Sequence, residues 1–308
     1  LVLDHHQSEL KLPKAFSVVN PNRFDDDSNL NYLCAAGVCF MFLVALNKKL
    51  REVEWFKKNK IVEPNLINYL DLVSLGTVCD VVPLIGLNRA IVSQGLEIMK
   101  KKSNPGLKTL KNICGVENNL TTYHLGYILG PRINAGGRVG KCSHGANLFL
   151  SKDSKEIFRI ATDLEKFNNE RKAIESEMLN KIDAKVKISH DDPIIILSGH
   201  NWHGGIIGII ASRLKEKYNK PTIIISVENG IGRASARSII GFDIGSIIIN
   251  AVQSNILRRG GGHKMAGGFT IEENKIEEFK NFVNKKFLKI VKKINKTKNI
   301  FFDAKISP

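Results

Sequence analysis

The stretch DSKEIFRIATDLEKFNNERKAIESEMLNKIDAKVK, residues 153–187, decides how the rest of the chain divides. Ile157, Ile160, Leu164, Phe167, Ile174, Met178 and Ile182 recur at three- and four-residue spacing with charges between them. That is the pattern of one apolar stripe along a helix. No glycine or proline interrupts it. At about 1.5 Å per residue such a helix is roughly 50 Å long, and it is expected to be a stiff connector between two lobes.

Downstream, apolar runs alternate with helical patterns. Strands are expected at Pro193–Leu197, Thr222–Ser226 and Ile231–Arg237, and a helix from Ile206 to Tyr218. A second helix, capped by Asp243, should lead to a Gly-rich strand around Gly268 and close an α/β lobe near residue 271. A Lys-rich helix, Ile276–Val291, follows, and Phe301–Pro308 reads as the first strand of a further unit. Upstream, residues 1–150 mix short apolar runs, helical patterns and Gly-rich turns, which is also an α/β signature. Leu1–Leu3 should end a strand, Ser28 should cap a helix running to about Leu50, and Pro105 should open a helix that stops at Gly115. The expected fold class is therefore α/β in two lobes, the first with part of a parallel sheet. The expected boundaries are 1–150, a linker helix over 151–188, a second domain over 189–295, and the start of another at 296–308. The chain opens on Leu inside a strand pattern, so a cut N-terminus is expected.

The 308 residues carry 46 Lys plus Arg against 30 Asp plus Glu, a net charge of +16. This balance favours polyanionic partners, nucleic acid first, although a Lys-, Asn- and Ile-rich composition contributes to it. The longest uncharged apolar run, Leu33–Leu46, is too short to span a bilayer. Five cysteines without a C-x-x-C pair suit a reducing cytoplasm better than a zinc site.

Chemistry concentrates in a few places. Asp4-His5-His6 falls where a strand ends, a position where ligands collect in open α/β sheets. Imidazole with carboxylate suits Mn²⁺, Mg²⁺ or Fe²⁺, and a bare D-H-H can also be a polar turn. Adjacent histidines on extended backbone should point to opposite sides. Asp80, flanked by Val78, Cys79, Val81 and Val82, reads as a buried carboxylate needing a partner or a metal, or as a turn cap, with Asp71 on the preceding helical face. Gly130-Pro-Arg132-Ile-Asn134-Ala-Gly-Gly-Arg138-Val-Gly140 reads as a Gly-rich loop able to cradle phosphate. His200-Asn-Trp-His203-Gly-Gly precedes a helix start. Ser235 and Arg237 end a strand, and Gly260-Gly-Gly262-His263-Lys-Met-Ala-Gly-Gly268 offers a further anion nest.

Together these blocks resemble the DHH phosphoesterase superfamily and, within it, the RecJ single-strand exonucleases. The resemblance rests on Leu3-Asp4-His5-His6, Leu75-Gly-Thr-Val-Cys-Asp80-Val-Val-Pro-Leu84 and Arg132-Ile-Asn134-Ala-Gly-Gly-Arg138. It continues through Trp202-His203-Gly-Gly-Ile-Ile-Gly-Ile-Ile-Ala-Ser-Arg213 and Gly261-Gly262-His263-Lys-Met-Ala-Gly-Gly268, in family order over residues 1–271. It implies a DHH lobe, a linker helix and a DHHA1 lobe with the substrate strand between them. It also implies two Mn²⁺ or Mg²⁺ ions and release of mononucleotides from the 5′ end of single-stranded DNA during repair and recombination. By the same resemblance His5 and Asp80 are metal ligands, His6 meets the scissile phosphate or second metal, and Asp4 orients the histidines. Arg132, Asn134 and Arg138 hold the strand near the metals. His203, Ser235, Arg237, Gly262 and His263 hold phosphates from the other lobe. A single-strand-binding protein and a helicase are the partners such an enzyme implies, without a membrane.

The family draws further metal-binding aspartates from motifs preceding D-H-H, which this sequence does not contain. The expectation is a fragment that binds metal poorly and is inactive, and whose tail begins an oligonucleotide-binding barrel. Two other readings stand beside it: a DHH-family phosphodiesterase for short oligonucleotides or cyclic dinucleotides, and a non-catalytic single-strand-binding remnant.

Overall fold

The computed structural model describes residues 1–290 except 9, 102, 117–118 and 186–191. The expected strand at Phe301–Pro308, like the last residue of the Lys-rich helix, lies outside the described residues. The chain is α/β and divides into two compact units, Leu1–Asn169 and Glu170–Pro308. The boundary falls inside a single helix.

In the first unit two short strands, β1 (Val2–Leu3) and β2 (Val18–Val19), pair in parallel with Val2 opposite Val18. The rest is helical: α1 (Ala35–Glu52), α2 (Trp55–Lys58), α3 (Leu70–Cys79), α4 (Gly86–Lys101) and α5 (Pro105–Ile113) come first. A π-helical turn, His124–Leu129, then leads into α6 (Gly130–Val139), α7 (Ser143–Leu150) and α8 (Ser154–Lys185). Among the described residues this unit is far more helical than alternating apolar runs suggested. Its core joins Leu107 and Leu110 of α5, Leu125 and Leu129 of the π turn, and Ile157, Ile160 and Leu164 of α8. The α5 ends follow the expected chemistry. Asn104 accepts from the Gly106 and Leu107 amides, Pro105 sits in the first turn, and Gly115 leaves with φ +65°.

Two local expectations fail. The first long helix starts at Ala35, and its cap is Cys34, whose sulfur accepts from the Gly37 amide at 3.4 Å. Ser28 instead donates to Asp26 at 2.5 Å, in a turn that continues through left-handed Asn29. The stretch Gly130–Val139 is a helix, not a Gly-rich loop. Its glycines mark close approaches rather than mobility. A side chain at Gly130 would collide with the Cys79 sulfur, one at Gly140 with the Phe167 ring, and one at Gly136 would press on Leu164 at 3.1 Å.

The second unit is built on a sheet of order β3-β4-β5-β7-β6. Its elements are β3 (Ile195–His200), α9 (Ile207–Tyr218), β4 (Thr222–Glu228), β5 (Ile231–Arg237), α10 (Ile244–Gln253), β6 (Arg259–His263), β7 (Ala266–Glu272) and α11 (Ile276–Ile290). Only β3 and β4 are parallel; the other pairs are antiparallel. One face packs Ile223, Ile225, Ala234 and Ala236 against Ile248 of α10 and Phe279 and Val283 of α11. The opposite face of β4 and β5 receives α9, whose Gly208 passes over Ser235 and Arg237. Within this unit α8 is fastened to α9. Buried Glu175 accepts from Arg171 at 2.6 Å and from Arg213 at 3.0 Å, and Lys217 reaches Asp183 at 3.0 Å. The Gly260–Gly268 stretch is a hairpin rather than a nest. A side chain at Gly260 or Gly267 would strike Ile248, and one at Gly245 the Gly262 carbonyl. Among the described residues no helix is long and apolar enough to cross a membrane.

Candidate functional site

Strand β1 delivers Asp4 to its end, and Asp4 then folds the next two residues back. Its Oδ1 accepts from the His5 amide at 2.8 Å, the His6 amide at 3.3 Å and His6 Nδ1 at 2.7 Å. The His6 bond, opposed in part by burial, lowers the Asp4 pKa below the ordinary carboxylate value. The two rings consequently lie 4.6 Å apart, centroid to centroid, instead of pointing to opposite sides. This Asx-type turn overrides strand alternation. Asn22 donates to the His5 carbonyl at 2.7 Å and Asn20 to the His6 carbonyl at 2.8 Å, which locks the turn. Sequence reasoning missed both asparagines; the polar run Asn20-Pro-Asn22 directly after β2 is the signal that marks them.

The partner comes from α3. His5 Nδ1 stands 3.5 Å from Asp80 Oδ2, with the His5 side chain 19% exposed and the Asp80 side chain 40%. Asp80 is therefore not the buried carboxylate expected from its flanking valines. The buried one is Asp71, 1% exposed, which accepts from the Leu72 and Asn104 amides at 2.7 Å each. Burial raises the Asp71 pKa, and those amides partly oppose the shift. Asp71 is thus a structural tie between α3 and the α5 cap, and Asp80, at the end of α3, is the group left open for chemistry. Next to it the Cys79 thiol is pushed up to about 11 by burial, with the Asp80 charge adding to the effect. It stays a neutral thiol, bonded to the Leu125 carbonyl.

His5 and Asp80 are donors of the kind that a hard divalent ion takes, and they could hold one in part. Among the described residues no group of three or more His, Cys, Asp or Glu is placed to hold a metal. A two-ion site needs carboxylates shared between the ions, so this pair fits part of such a site and not the whole.

On α6, Asn134 and Arg138 are exposed and one turn apart, so they share a face. Arg132 leaves that face. Its guanidinium forks onto Glu165 of α8 and donates to the Ile128 carbonyl at 2.8 Å, with its side chain only 13% exposed. It positions α6 and is not presented to a ligand.

In the second unit, register does what sequence order cannot. Partners across antiparallel strands share a face. Arg237 lies opposite Ala266, which lies opposite His263. Ser235 lies opposite Gly268, which lies opposite Gly261. Arg233 lies opposite Thr270, which lies opposite Arg259. Three rows thus form one face of β5, β7 and β6, with a middle row that carries only the Ser235 hydroxymethyl between two basic ones. Arg237 donates to Ser235 Oγ at 3.1 Å, and Arg259 reaches Thr270 Oγ1 at 3.4 Å. The start of α9 joins the same face through Gly208, with His203 just ahead of it taking the Gly205 amide at 3.1 Å. Ser235, Arg237 and His263 are therefore brought together. By strand alternation Gly262 belongs to the other face, against α10. Arg233 and Arg259 were missed, because only the pairing register shows that they flank the glycines.

Residues 191–289 match the DHHA1 domain family. The chain is 37% identical over 292 residues to the single-stranded-DNA-specific exonuclease RecJ of Dickeya dadantii, covering 91% of this chain and 50% of that protein. It is 31% identical over 283 residues to the protein of the same name from Thermus thermophilus, covering 91% of this chain and 38% of that protein. Over about nine tenths of its length the chain is similar to the RecJ exonucleases. A crystal structure of exonuclease RecJ bound to manganese superposes with a TM-score of 0.74 at 29% identity, over 95% of this chain and 71% of that one. The chain spans about half the length of curated RecJ relatives that it matches.

Proposed function

We propose that this chain forms part of a divalent-metal exonuclease that removes nucleotides from the 5′ end of single-stranded DNA. The approach of His5 to Asp80 within 3.5 Å, beside an Asp4-locked His6, carries the reading. Relatives named as single-stranded-DNA-specific exonucleases, and RecJ structures holding Mg²⁺ or Mn²⁺, support it. A divalent ion, when bound, supplies Lewis acidity at the phosphate. The chain's own residues set the frame for that chemistry. His5 and Asp80 offer donors, Asp4 holds the His6 ring toward the same side, and Asn20 and Asn22 keep the turn from opening. The basic rows of the second unit supply sequence-independent grip on phosphates. With two donors among its described residues, the chain on its own should bind Mn²⁺ weakly and be inactive. A role in repair and recombination, a cytoplasmic setting that suits five free thiols, and partnership with a single-strand-binding protein and a helicase belong to the same proposal.

The test is release of mononucleotides from 5′-labelled single strands in Mn²⁺, run on a polypeptide of the relatives' full length. Asp80→Ala should abolish release while strand binding persists, because affinity comes mainly from phosphate contacts. Undiminished cleavage by Asp80→Ala would sink the assignment. Cyclic dinucleotides hydrolysed faster than strands would favour the small-substrate reading instead.

A further inference from the structure

The segment Val78–Leu84 shows two sides. Asp80 turns to His5, whereas Val78, Cys79, Val81, Val82 and Leu84 line a cleft of about 400 Å³. The facing wall is the π-helical turn with Tyr123 and Tyr127. These two rings are stacked, 5.3 Å between centroids and 28° between planes. Both stand in solvent, Tyr123 60% and Tyr127 74% exposed, and Val81 beside them is 87% exposed. Exposed large apolar groups gathered in one place mark a binding surface.

The local backbone is unusual on both walls. Val81 holds φ +58°, a left-handed conformation that costs a β-branched residue energy and that clusters at functional sites. The opposite wall is a π-helix, a rare form also concentrated at such sites. Packing fixes the two walls to each other: Gly130, at the end of the π turn, abuts the Cys79 sulfur, and Leu125 accepts from it.

We propose that this cleft stacks a nucleobase of the single strand whose phosphate is presented to His5 and Asp80. The proposal rests on the function given above and deepens it. A nucleotide carries its base one sugar away from its phosphate. A carboxylate on one side of Val78–Leu84 and an apolar, aromatic-walled cleft on the other put a charged surface and a ring-binding surface on the same short segment. Stacking is indifferent to sequence because every base has a π-face, as an enzyme degrading any strand requires.

The probe is a 5′-phosphorylated oligothymidylate carrying 2-aminopurine at one of its first three positions, titrated onto the chain. At one position the wild type should quench the fluorophore. Tyr127→Ala and Tyr123→Ala should abolish that quenching and weaken binding about tenfold, whereas Tyr127→Phe should retain both. An abasic residue at the quenched position should bind wild type about as weakly as the intact strand binds Tyr127→Ala. Both tyrosines are exposed, and unchanged circular dichroism of the variants confirms that the fold is intact. If the wild type binds the strand but quenches at no position, or if the tyrosine variants bind and quench normally, the cleft belongs to another class of partner and this proposal falls alone. If the wild type binds no single strand, the exonuclease reading falls with it.

Discussion

His5 and Asp80 meet with Nδ1 and Oδ2 3.5 Å apart although they come from the end of β1 and the end of α3. Asp4 holds His5 there by accepting from its amide at 2.8 Å, and Asn22 by its 2.7 Å bond to the His5 carbonyl. Groups that orient a metal ligand are commonly worth about 10- to 100-fold in metal affinity or activity when removed. Asn22→Ala should therefore weaken Mn²⁺ binding by about that factor, with thermal stability little changed. Titration followed by the Mn²⁺ electron-spin signal measures it. Equal affinity in wild type and variant would assign Asn22 to the turn alone.

Asp71 gives a prediction with a sign. Burial raises its pKa above the ordinary carboxylate value. The folded state therefore binds the proton more readily than the unfolded chain, and the Asp71 contribution to stability is most favourable at low pH. It is lost as pH rises through the folded pKa and stays lost at neutrality. Asp71→Asn removes this pH dependence but turns an amide NH₂ toward one of two backbone donors, a cost of about 1–3 kcal/mol. Urea unfolding at a series of pH values should show the variant less stable at pH 7, with the gap widening as pH falls into the carboxylate range. A gap independent of pH would show that Asp71 ionises as freely folded as unfolded.

Much of the second unit was legible because its signals are local. The apolar run of β4 and the alternation of β5 read directly as strands, and Asp243 caps α10 by accepting from the Ser246 amide at 3.0 Å, as expected. The 3.6 periodicity of α8 was equally plain. What escaped was phase and register. Helix α3 is apolar almost all round, so its pattern gives no inward direction, and the buried role went to Asp80 instead of Asp71. Glycine is ambiguous in the same way. A loop needs it for conformational freedom, and α6 uses it for contact with Cys79, Leu164 and Phe167. The basic rows across β5, β7 and β6 depend on pairings between distant segments that no local pattern encodes.

Leu164 tests the core beneath α6. It is fully buried, and Gly136 lies against it. Leu164→Ala should cost about 2–5 kcal/mol through lost contacts and a residual cavity. Leu164→Asp should cost more, since it forces an unpaired charge inward. Chemical denaturation measures both. A loss below about 1 kcal/mol for Leu164→Ala would mean that α8 can part from α6 without consequence, against the packing described for this unit.

The basic face of the second unit predicts how binding responds to salt. Arg237 and His263 form one row and Arg233 and Arg259 another, with Ser235, Gly268 and Gly261 between them. A phosphate backbone can approach such a floor closely because the middle row offers almost no side chain to displace it. Each phosphate neutralised on a single strand releases counterions and contributes about −0.7 to the slope of log K against log salt. Arg237→Ala should flatten that slope by roughly 0.7 and weaken binding alike for every sequence, since phosphate contacts carry no base information. If the second row also meets phosphate, Arg233→Ala should do the same, and the double variant should sum the two effects. Lys57→Ala, on α2 of the first unit, is the control that should leave the slope unchanged. Titrations of oligothymidylate and oligodeoxyadenylate between low and moderate salt read all of these. A slope unaltered by Arg237→Ala would mean that its guanidinium serves Ser235 and the strand end rather than the nucleic acid. A loss that depends on base identity would move Arg237 from gripping phosphate to reading sequence.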